Sequence, residues 1–434
     1  MHFSQKDSFL DALQQHQVVD GKKTCSVDDF LPRSFVLCDA QGFQSSLEIF
    51  MCHFLYSAAL STIKHFCLDQ SKYTEWTTFP SVEQISVSIR LLTLIRCNTC
   101  ALNSRFFARE LHKAFIPFDH CWRPLQLPTC SACRPSIDGV ANDEIHYLLN
   151  YYKATDNQYH LVQTSNVWIL KPARSSQGRG IKLFTTLAAL HDHLRHDLQG
   201  SQIKRNRIWI VQKYIESPIG LGDTFSQPVG TLEHQPTGSR KFDIRQWVLV
   251  TNLSPLQVYW YRHNYARFSS KNYTLRDIDD RFTHLCNHSV QKAYQVSKIV
   301  PNTQHSTCIR HSQELQQMLR FVAFFTHSTQ LPSLTPMKAA TRRAIQAVVP
   351  KLQAVGKGFE WLGIDFLIDS ELHVWLLEVN ISPDMSHDHE ILREMVPPAV
   401  RDTLHLVMKE DFQEEGINKN GWKLLSIENA TGLV

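Results

Sequence analysis

Apolar residues recur every three or four positions over Val82–Ile95 and Ser104–Phe115, the spacing of helices that bury one face. Up to about Asn150 the chain otherwise mixes short helical patterns with Cys, His and Pro. From Asn166 the texture changes to short β-branched and aromatic runs. Val167–Leu170 and Ile208–Gln212 predict strands, and Thr185–Leu198 predicts a helix between them. Phe242–Val250 and Leu256–Arg262 predict two more strands, with a turn at Asn252–Pro255. Thr335–Val349 predicts a helix whose Met337, Ala340, Ile345 and Val348 partly trace one face. Trp361–Ile368 and His373–Val379 predict paired strands joined at Asp369-Ser370-Glu371. A stretch rich in Gly, Pro, Ser and Thr between Pro218 and Arg240 predicts a mobile insertion between core strands. From about Asp411 the chain is polar and predicts a peripheral tail. Strands clustered in the middle and later part of the chain predict an α+β or α/β fold of layered sheets rather than a bundle.

Composition narrows the class without naming a function. The chain has 434 residues, 43% hydrophobic and 20% charged, as in an ordinary globular protein with room for one large core or two to three subdomains. No run approaches the ~20 apolar residues of a membrane span, since Phe54–Leu68 is interrupted by Lys64 and His65. The first residues, Met1 to Asp7, lack a secretory pattern, and 11 cysteines without such a signal predict reduced thiols in the cytosol. A net charge of +4 is too mild for a nucleic-acid binder and suits an acidic protein partner equally well. Cys97-x-x-Cys100 and Cys130-x-x-Cys133 have the spacing of zinc knuckles, but the pairs lie further apart than in a zinc ribbon. Buried thiols are the alternative.

Three segments carry chemistry. A strand ending in Lys171 leads into Pro172-Ala173-Arg174-Ser175-Ser176-Gln177-Gly178-Arg179-Gly180-Ile181. Glycines there let backbone N–H groups approach a phosphate and the basic side chains balance its charge, although a surface turn would read alike. It is not a Walker loop, because the G-x-x-x-x-G-K-[ST] spacing is absent. Alternation along Arg240–Val248 puts Lys241, Asp243, Arg245 and Trp247 on one strand face, with Phe242, Ile244 and Val248 on the other. An exposed salt-bridge ladder would give this pattern, but the core-like flanks favour a cleft. Asp365 lies among apolar residues, while Glu378 and Asn380 share a face of the following strand. If the two strands pair with an odd-sum register, Asp365 joins that face and an oxygen-rich site suited to Mg²⁺ results. The competing reading is a buried carboxylate satisfied by Arg or Lys.

Six blocks, taken in order, resemble the tubulin–tyrosine ligase-like family. They are Trp168-Ile169-Leu170-Lys171-Pro172, Gln177-Gly178-Arg179-Gly180-Ile181, Val211-Gln212-Lys213-Tyr214-Ile215, Lys241-Phe242-Asp243-Ile244-Arg245, His284-Leu285-Cys286-Asn287-His288 and Glu378-Val379-Asn380. Tyr259-Trp260-Tyr261-Arg262, Ala266-Arg267-Phe268-Ser269 and the segment from His284 to Lys292 are most similar to the branch that attaches glycine to tubulin. The resemblance covers roughly residues 160 to 410; Cys286 and the insertion at 219–239 depart from the compact tyrosine ligase.

This resemblance implies an ATP-grasp-like α+β fold with a nucleotide cleft between two sheet-containing lobes. It also implies an N-terminal domain at 1–145, lobes at 146–240 and 241–410, and a tail at 411–434. The implied activity is ATP-dependent attachment of free glycine to glutamate side chains of tubulin C-terminal tails or microtubules, through an acyl phosphate. A glutamate or tyrosine ligase, or an inactive microtubule-binding module, is the alternative. The resemblance implies that Lys171 and Gln177–Ile181 handle the phosphates and that Gln212, Lys213, Tyr214 and Ile215 form an adenine hinge. Lys241, Asp243 and Asn287 would contact the nucleotide, while Arg245 and Arg267 would meet the acyl phosphate. Asp365, Glu378 and Asn380 would bind Mg²⁺. A monomer acting in the cytoplasm and on the cytoskeleton, including the axoneme of cilia, is implied, with no nucleic-acid or membrane partner.

Overall fold

The computed structural model describes residues 5–15, 18–20, 23–38, 43–67, 80, 82–97, 142–199, 208–221, 239–253, 256–297, 309–311, 334–351, 358–386, 389–408 and 421–425. The helical pattern at Ser104–Phe115, the bulk of the insertion and three of the four knuckle cysteines (Cys100, Cys130, Cys133) lie outside the described residues.

The elements begin with α1 (Lys6–Gln15), β1 (Val18–Asp20), β2 (Lys23–Cys25), β3 (Ser34–Cys38), α2 (Phe43–Phe66), α3 (Val82–Cys97) and α4 (Asn142–Thr155). There follow β4 (Trp168–Pro172), β5 (Lys182–Phe184), α5 (Leu187–Gln199), β6 (Ile208–Lys213), β7 (Gly220–Leu221), β8 (Arg240–Leu253) and β9 (Leu256–Asn272). The last are α6 (Arg281–His284), α7 (His288–Ser297), β10 (Ile309–His311), α8 (Leu334–Val348), β11 (Glu360–Ile368), β12 (Val374–Ile381), α9 (Glu390–Met408) and β13 (Trp422–Leu424). They divide into two compact units built from interleaved segments: Met1–Leu31, Arg174–Arg179 and Pro218–Val434 form one, Pro32–Ala173 and Gly180–Ser217 the other.

The second unit holds a four-stranded sheet in the order β3-β6-β4-β5. Trp168, Leu170, Leu37 and Val211 on its strands pack against Phe50, Met51 and Phe54 of α2 and Leu187, Leu190 and Leu194 of α5. Other α2 residues, including Leu55, Tyr56, Leu60 and Ile63, bury against α3 and α4. A helix contacted on two sides needs apolar residues nearly all round. Accordingly Ser46–Phe66 is long and apolar enough to cross a membrane, contrary to the sequence expectation, but 78% of its most apolar window is buried inside the protein. Burial of that extent marks it as a core helix.

The first unit is organised by a seven-stranded sheet, β10-β9-β8-β11-β12, with β13 paired to β9 and β7 to β8. Every strand pairing in both sheets is antiparallel, which resolves the fold class as α+β. Trp247, Leu249, Tyr261, Tyr265 and Trp422 form a core with Leu392, Met395, Val396 and Ala399 of α9. α1 lies against α8, burying Phe9, Leu10, Ala12 and Leu13. β9 continues ten residues past the expected end at Arg262 to Asn272. Arg262, His263 and Asn264 break the apolar alternation, but Asn264 is buried and donates from Nδ2 to Gln246 Oε1 on β8 at 3.3 Å. At the insertion's start, Gly220 pairs with Lys241 and Ile219 N–H donates to Ile368 O at 2.9 Å.

Candidate active site

The β11–β12 hairpin sets the geometry of the first unit's polar cluster. Its tight connection is held by Asp369, whose Oδ1 accepts the N–H groups of Glu371 and His373 while Oδ2 accepts the indole N–H of Trp375. Pairing then runs Asp365↔Glu378, Ile364↔Val379 and Gly363↔Asn380, the odd-sum register that brings Asp365, Glu378 and Asn380 to one face. Leu377 is an extra residue, because Phe366 already pairs with Leu376, so a bulge sits directly beside Glu378. Such bulges re-aim the neighbouring side chain.

On its other edge β11 pairs with β8, placing Arg245 opposite Asp365, and β8 pairs with β9, placing Asp243 opposite Arg267. The four side chains form a continuous ladder. Arg267 donates from Nε to Asp243 Oδ1 at 2.6 Å and from Nη2 to Asp243 Oδ2 at 2.7 Å. The same Nη2 lies 2.9 Å from Asp365 Oδ2. Arg245 Nη2 donates to Asp365 Oδ2 at 3.1 Å, and its Nε bonds Asp365 Oδ1. Burial alone would raise the Asp365 carboxyl, but the guanidiniums of Arg245 and Arg267 outweigh it and hold the carboxyl well below the usual carboxylate range. The cationic face expected on β8 is therefore buried and largely neutralised. Lys241, on the same strand, is also buried and donates from Nζ to the carbonyl of His284 at 2.9 Å.

Sequence reasoning left Asp365 between two readings, metal ligand and carboxylate satisfied by arginine. The geometry favours arginine: both of its oxygens already receive guanidinium protons. Among the described residues no group of three or more His, Cys, Asp or Glu side chains could hold a metal ion. Glu378 and Asn380 remain as hard oxygen donors on β12. Asn380 Nδ2 donates to Glu378 Oε1 at 3.1 Å and to Asp365 Oδ2 at 3.3 Å, so Asp365 orients the pair from behind. Mg²⁺ takes one or two carboxylates and fills its shell with phosphate oxygens and water, so this donor set fits the ion with Glu378 as the main carboxylate.

The glycine segment is held by its own chain and by the start of α7. Gln177, Gly178 and Gly180 have φ of 60°, 69° and 71°, a region costly for side chains other than glycine's. A Cβ on Gly178 would stand 2.8 Å from Val290 Cγ2 and 3.3 Å from Asn287 Oδ1. Ser289 Oγ donates to Gln177 O at 3.2 Å, and Arg179 Nη2 donates to Gln177 Oε1 at 2.9 Å. Gln177, Gly178, Arg179 and Asn287 are thus brought together within the first unit. Gly180 and Ile181 belong to the second unit, where a Cβ on Gly180 would meet Pro172 Cγ at 2.9 Å.

In the second unit Lys171 on β4 donates from Nζ to Oε1 of Gln212 on β6 at 2.7 Å, and Gln212 Nε2 donates to Ser34 Oγ at 2.8 Å. Lys213 is buried and donates from Nζ to Val167 O at 2.8 Å and Glu216 Oε1 at 2.5 Å. Burial pulls its pKa down against the attraction of Glu216. Its side chain is a structural tie, and its backbone N–H is taken by Arg33 O, as that of Tyr214 is by Val167 O. Ile215 makes no hydrogen bond among the described residues.

Two neighbours of these residues, Glu216 and Lys6, lie outside the blocks recognised in the sequence. Glu216 accepts from Val167 N–H and Lys213 Nζ at Oε1 but sits outside the recognised block. Lys6 of α1 donates to Ser175 O at 2.8 Å and lies 3.8 Å from Glu378 Oε2, and nothing local in the sequence marks it. His284, which opens the recognised block His284–His288, is buried, donates from Nε2 to Asp277 O at 2.9 Å and accepts Lys241 Nζ at its own carbonyl. Burial, then the charge of Lys241, pushes its pKa down to about 4.

A model of the tubulin-tyrosine ligase family matches residues 136–415, well over half the chain and including the candidate site residues from Lys171 to Asn380. The chain belongs to the tubulin-tyrosine ligase family. The curated relatives it matches include Tubulin monoglycylase TTLL3 of Danio rerio, 32% identical over 263 residues that cover 60% of this chain and 31% of that protein. Protein monoglycylase TTLL8 of Mus musculus is 31% identical over 265 residues, covering 60% of this chain and 29% of its own length. Tubulin glycylase 3E of Tetrahymena thermophila is 30% identical over 278 residues, 64% of this chain and 18% of that protein. The chain therefore spans about a third or less of these relatives, each of which is named a glycylase.

Proposed function

We propose that this chain is an ATP-dependent ligase that attaches glycine to glutamate side chains of tubulin tails. The observation that carries the reading is the likeness to several glycylases over 60% or more of the chain, beside a family match over 136–415 that contains Lys171, the glycine segment, the Arg–Asp ladder and Glu378. In this reading Lys171 and Lys241 bind phosphate oxygens, Gln177–Ile181 lies over the triphosphate, and the free N–H and carbonyl of Ile215 read adenine. Asn287 would touch the phosphates or ribose beside Gly178. Glu378 and Asn380 would hold Mg²⁺, with Asp365 positioning them. When bound, the ion would screen phosphate charge and orient the triphosphate.

The reaction follows from the chemistry of carboxylate activation. A glutamate γ-carboxylate oxygen attacks the γ-phosphorus of ATP, the bond to ADP breaks, and an acyl phosphate forms. The amine of glycine then attacks the acyl carbon; a C–N bond forms, the C–O bond to phosphate breaks, and the amine releases a proton. Arg245 and Arg267 each spend Nε and Nη2 on aspartates, which fixes the sheet face on which Glu378 is presented. Their Nη1 groups make no hydrogen bond among the described residues and would be the ones to meet the acyl phosphate. The proposed setting is the cytoplasm and microtubule cytoskeleton, axonemes included.

The test is incubation with ATP, Mg²⁺, tubulin and each amino acid singly, followed by mass analysis of tail peptides. Glycine added to tail glutamates supports the proposal. Glutamate or tyrosine added instead would move the chain to another branch, and no ATP binding would leave a microtubule-binding module.

A further inference from the structure

We propose that Lys6 is a positioning residue of the nucleotide site, tying the glycine segment to the magnesium carboxylate from the N-terminal helix. The inference rests on the nucleotide reading above. Lys6 opens α1, and its Nζ donates to the carbonyl of Ser175 at 2.8 Å, two residues before Gln177. The same ammonium lies 3.8 Å from Glu378 Oε2, and both side chains are about one-fifth exposed. A cation in the first turn of a helix opposes the helix dipole, which favours anions there. Its two negative neighbours, a carbonyl and a carboxylate, offset that cost and give the charge a reason to sit at this end.

The helix that delivers Lys6 is anchored. Phe9, Leu10, Ala12 and Leu13 are buried, and at the far end Gln15 Oε1 accepts from Lys351 Nζ at 2.9 Å. Lys6 therefore approaches from a fixed element. It connects a loop rich in positive-φ residues to a strand with a bulge beside Glu378. A triphosphate bound to that loop would gain a further fixed positive charge, and Glu378 would be steadied before the ion binds. α1 lies outside the segment that the family model matches, so this contact is supplied by a part of the chain the family resemblance does not reach.

Lys6→Met and Lys6→Arg test the idea in the full chain. Without nucleotide, limited trypsin digestion read by mass spectrometry should cut Lys6→Met at the exposed Arg174 and Arg179 about fivefold faster than wild type, with other sites unchanged. The Kd for Mg·ATP, read with a fluorescent ATP analogue, should rise about tenfold, and KM for ATP should rise with it while kcat changes less than threefold. Lys6→Arg should restore both within about twofold. Wild-type digestion and affinity in Lys6→Met, or an arginine variant as poor as methionine, would overturn the proposal. So would a uniform rise in cutting at all sites, which would make Lys6 a general stability residue. Failure of wild type to bind ATP would sink the ligase reading and the nucleotide half of this one. The nucleotide-free digestion would still report whether Lys6 holds the loop.

Discussion

Asp365 and Arg245 face each other across β11 and β8, and a second guanidinium, that of Arg267, closes on the same carboxylate from β9. The pair sits at the centre of the first unit's sheet, where removing one partner leaves a charge with little water to replace it.

Arg245→Met should therefore cost about 3–5 kcal/mol of stability, measured as a lower urea midpoint at unchanged slope. The double variant Arg245→Met/Asp365→Leu should recover a large part of that loss, since no orphaned carboxylate remains. Strict additivity of the two single changes would show that the ladder contributes no coupling.

Glu378 is outside the buried ladder, and Glu378→Gln keeps its shape. Stability should change by about 1 kcal/mol or less, while ATP-dependent incorporation of glycine into tubulin falls at least about a hundredfold. Normal turnover in the glutamine variant would remove Glu378 from the metal site.

Gly178→Ala puts a Cβ 2.8 Å from Val290 on a backbone with φ of 69°. The substitution should cost about 1–2 kcal/mol and weaken nucleotide binding, because the loop must leave its seat on α7. An alanine variant with wild-type Tm and nucleotide affinity would show that this seating is dispensable.

His284 supplies a pH signature. Its folded pKa, about 4, lies below that of an exposed histidine, so the unfolded chain takes up a proton the folded one refuses. Its contribution is complete above pH ~6.5 and is lost as the pH falls from there towards 4, by about 3 kcal/mol at most. His284→Asn should flatten the fall in stability over that interval. An unchanged pH profile would assign the acid sensitivity to other groups.

Much of the architecture was legible along the chain. The strands over Val167–Leu170, Ile208–Gln212, Phe242–Val250 and Trp361–Ile368 fall within one to three residues of the observed elements, as does the helix over Thr335–Val349. Period and β-branching are local properties, so a linear reading detects them. The length of β9 was missed because its polar residues, Asn264 foremost, find partners only across the sheet. The apolar length of α2 was underestimated because contact on two sides, which lets Lys64 bond the carbonyls of Tyr159 and Val162, is invisible to a count of consecutive residues.

The sequence alone determined the chemical vocabulary: the glycine segment, the arginines and aspartates of the strands, Glu378 and Asn380, and the order in which they occur. That order is enough to reveal kinship, because each block needs only its own neighbours to be recognised. Tertiary structure decided how the charges are used. Strand register joined Asp365 to two arginines and set Glu378 on the same face beside a bulge, and a distant helix set Lys6 3.8 Å from Glu378. Pairing of charges depends on distances of a few ångströms between segments remote in the chain, and a one-dimensional pattern carries no such distances.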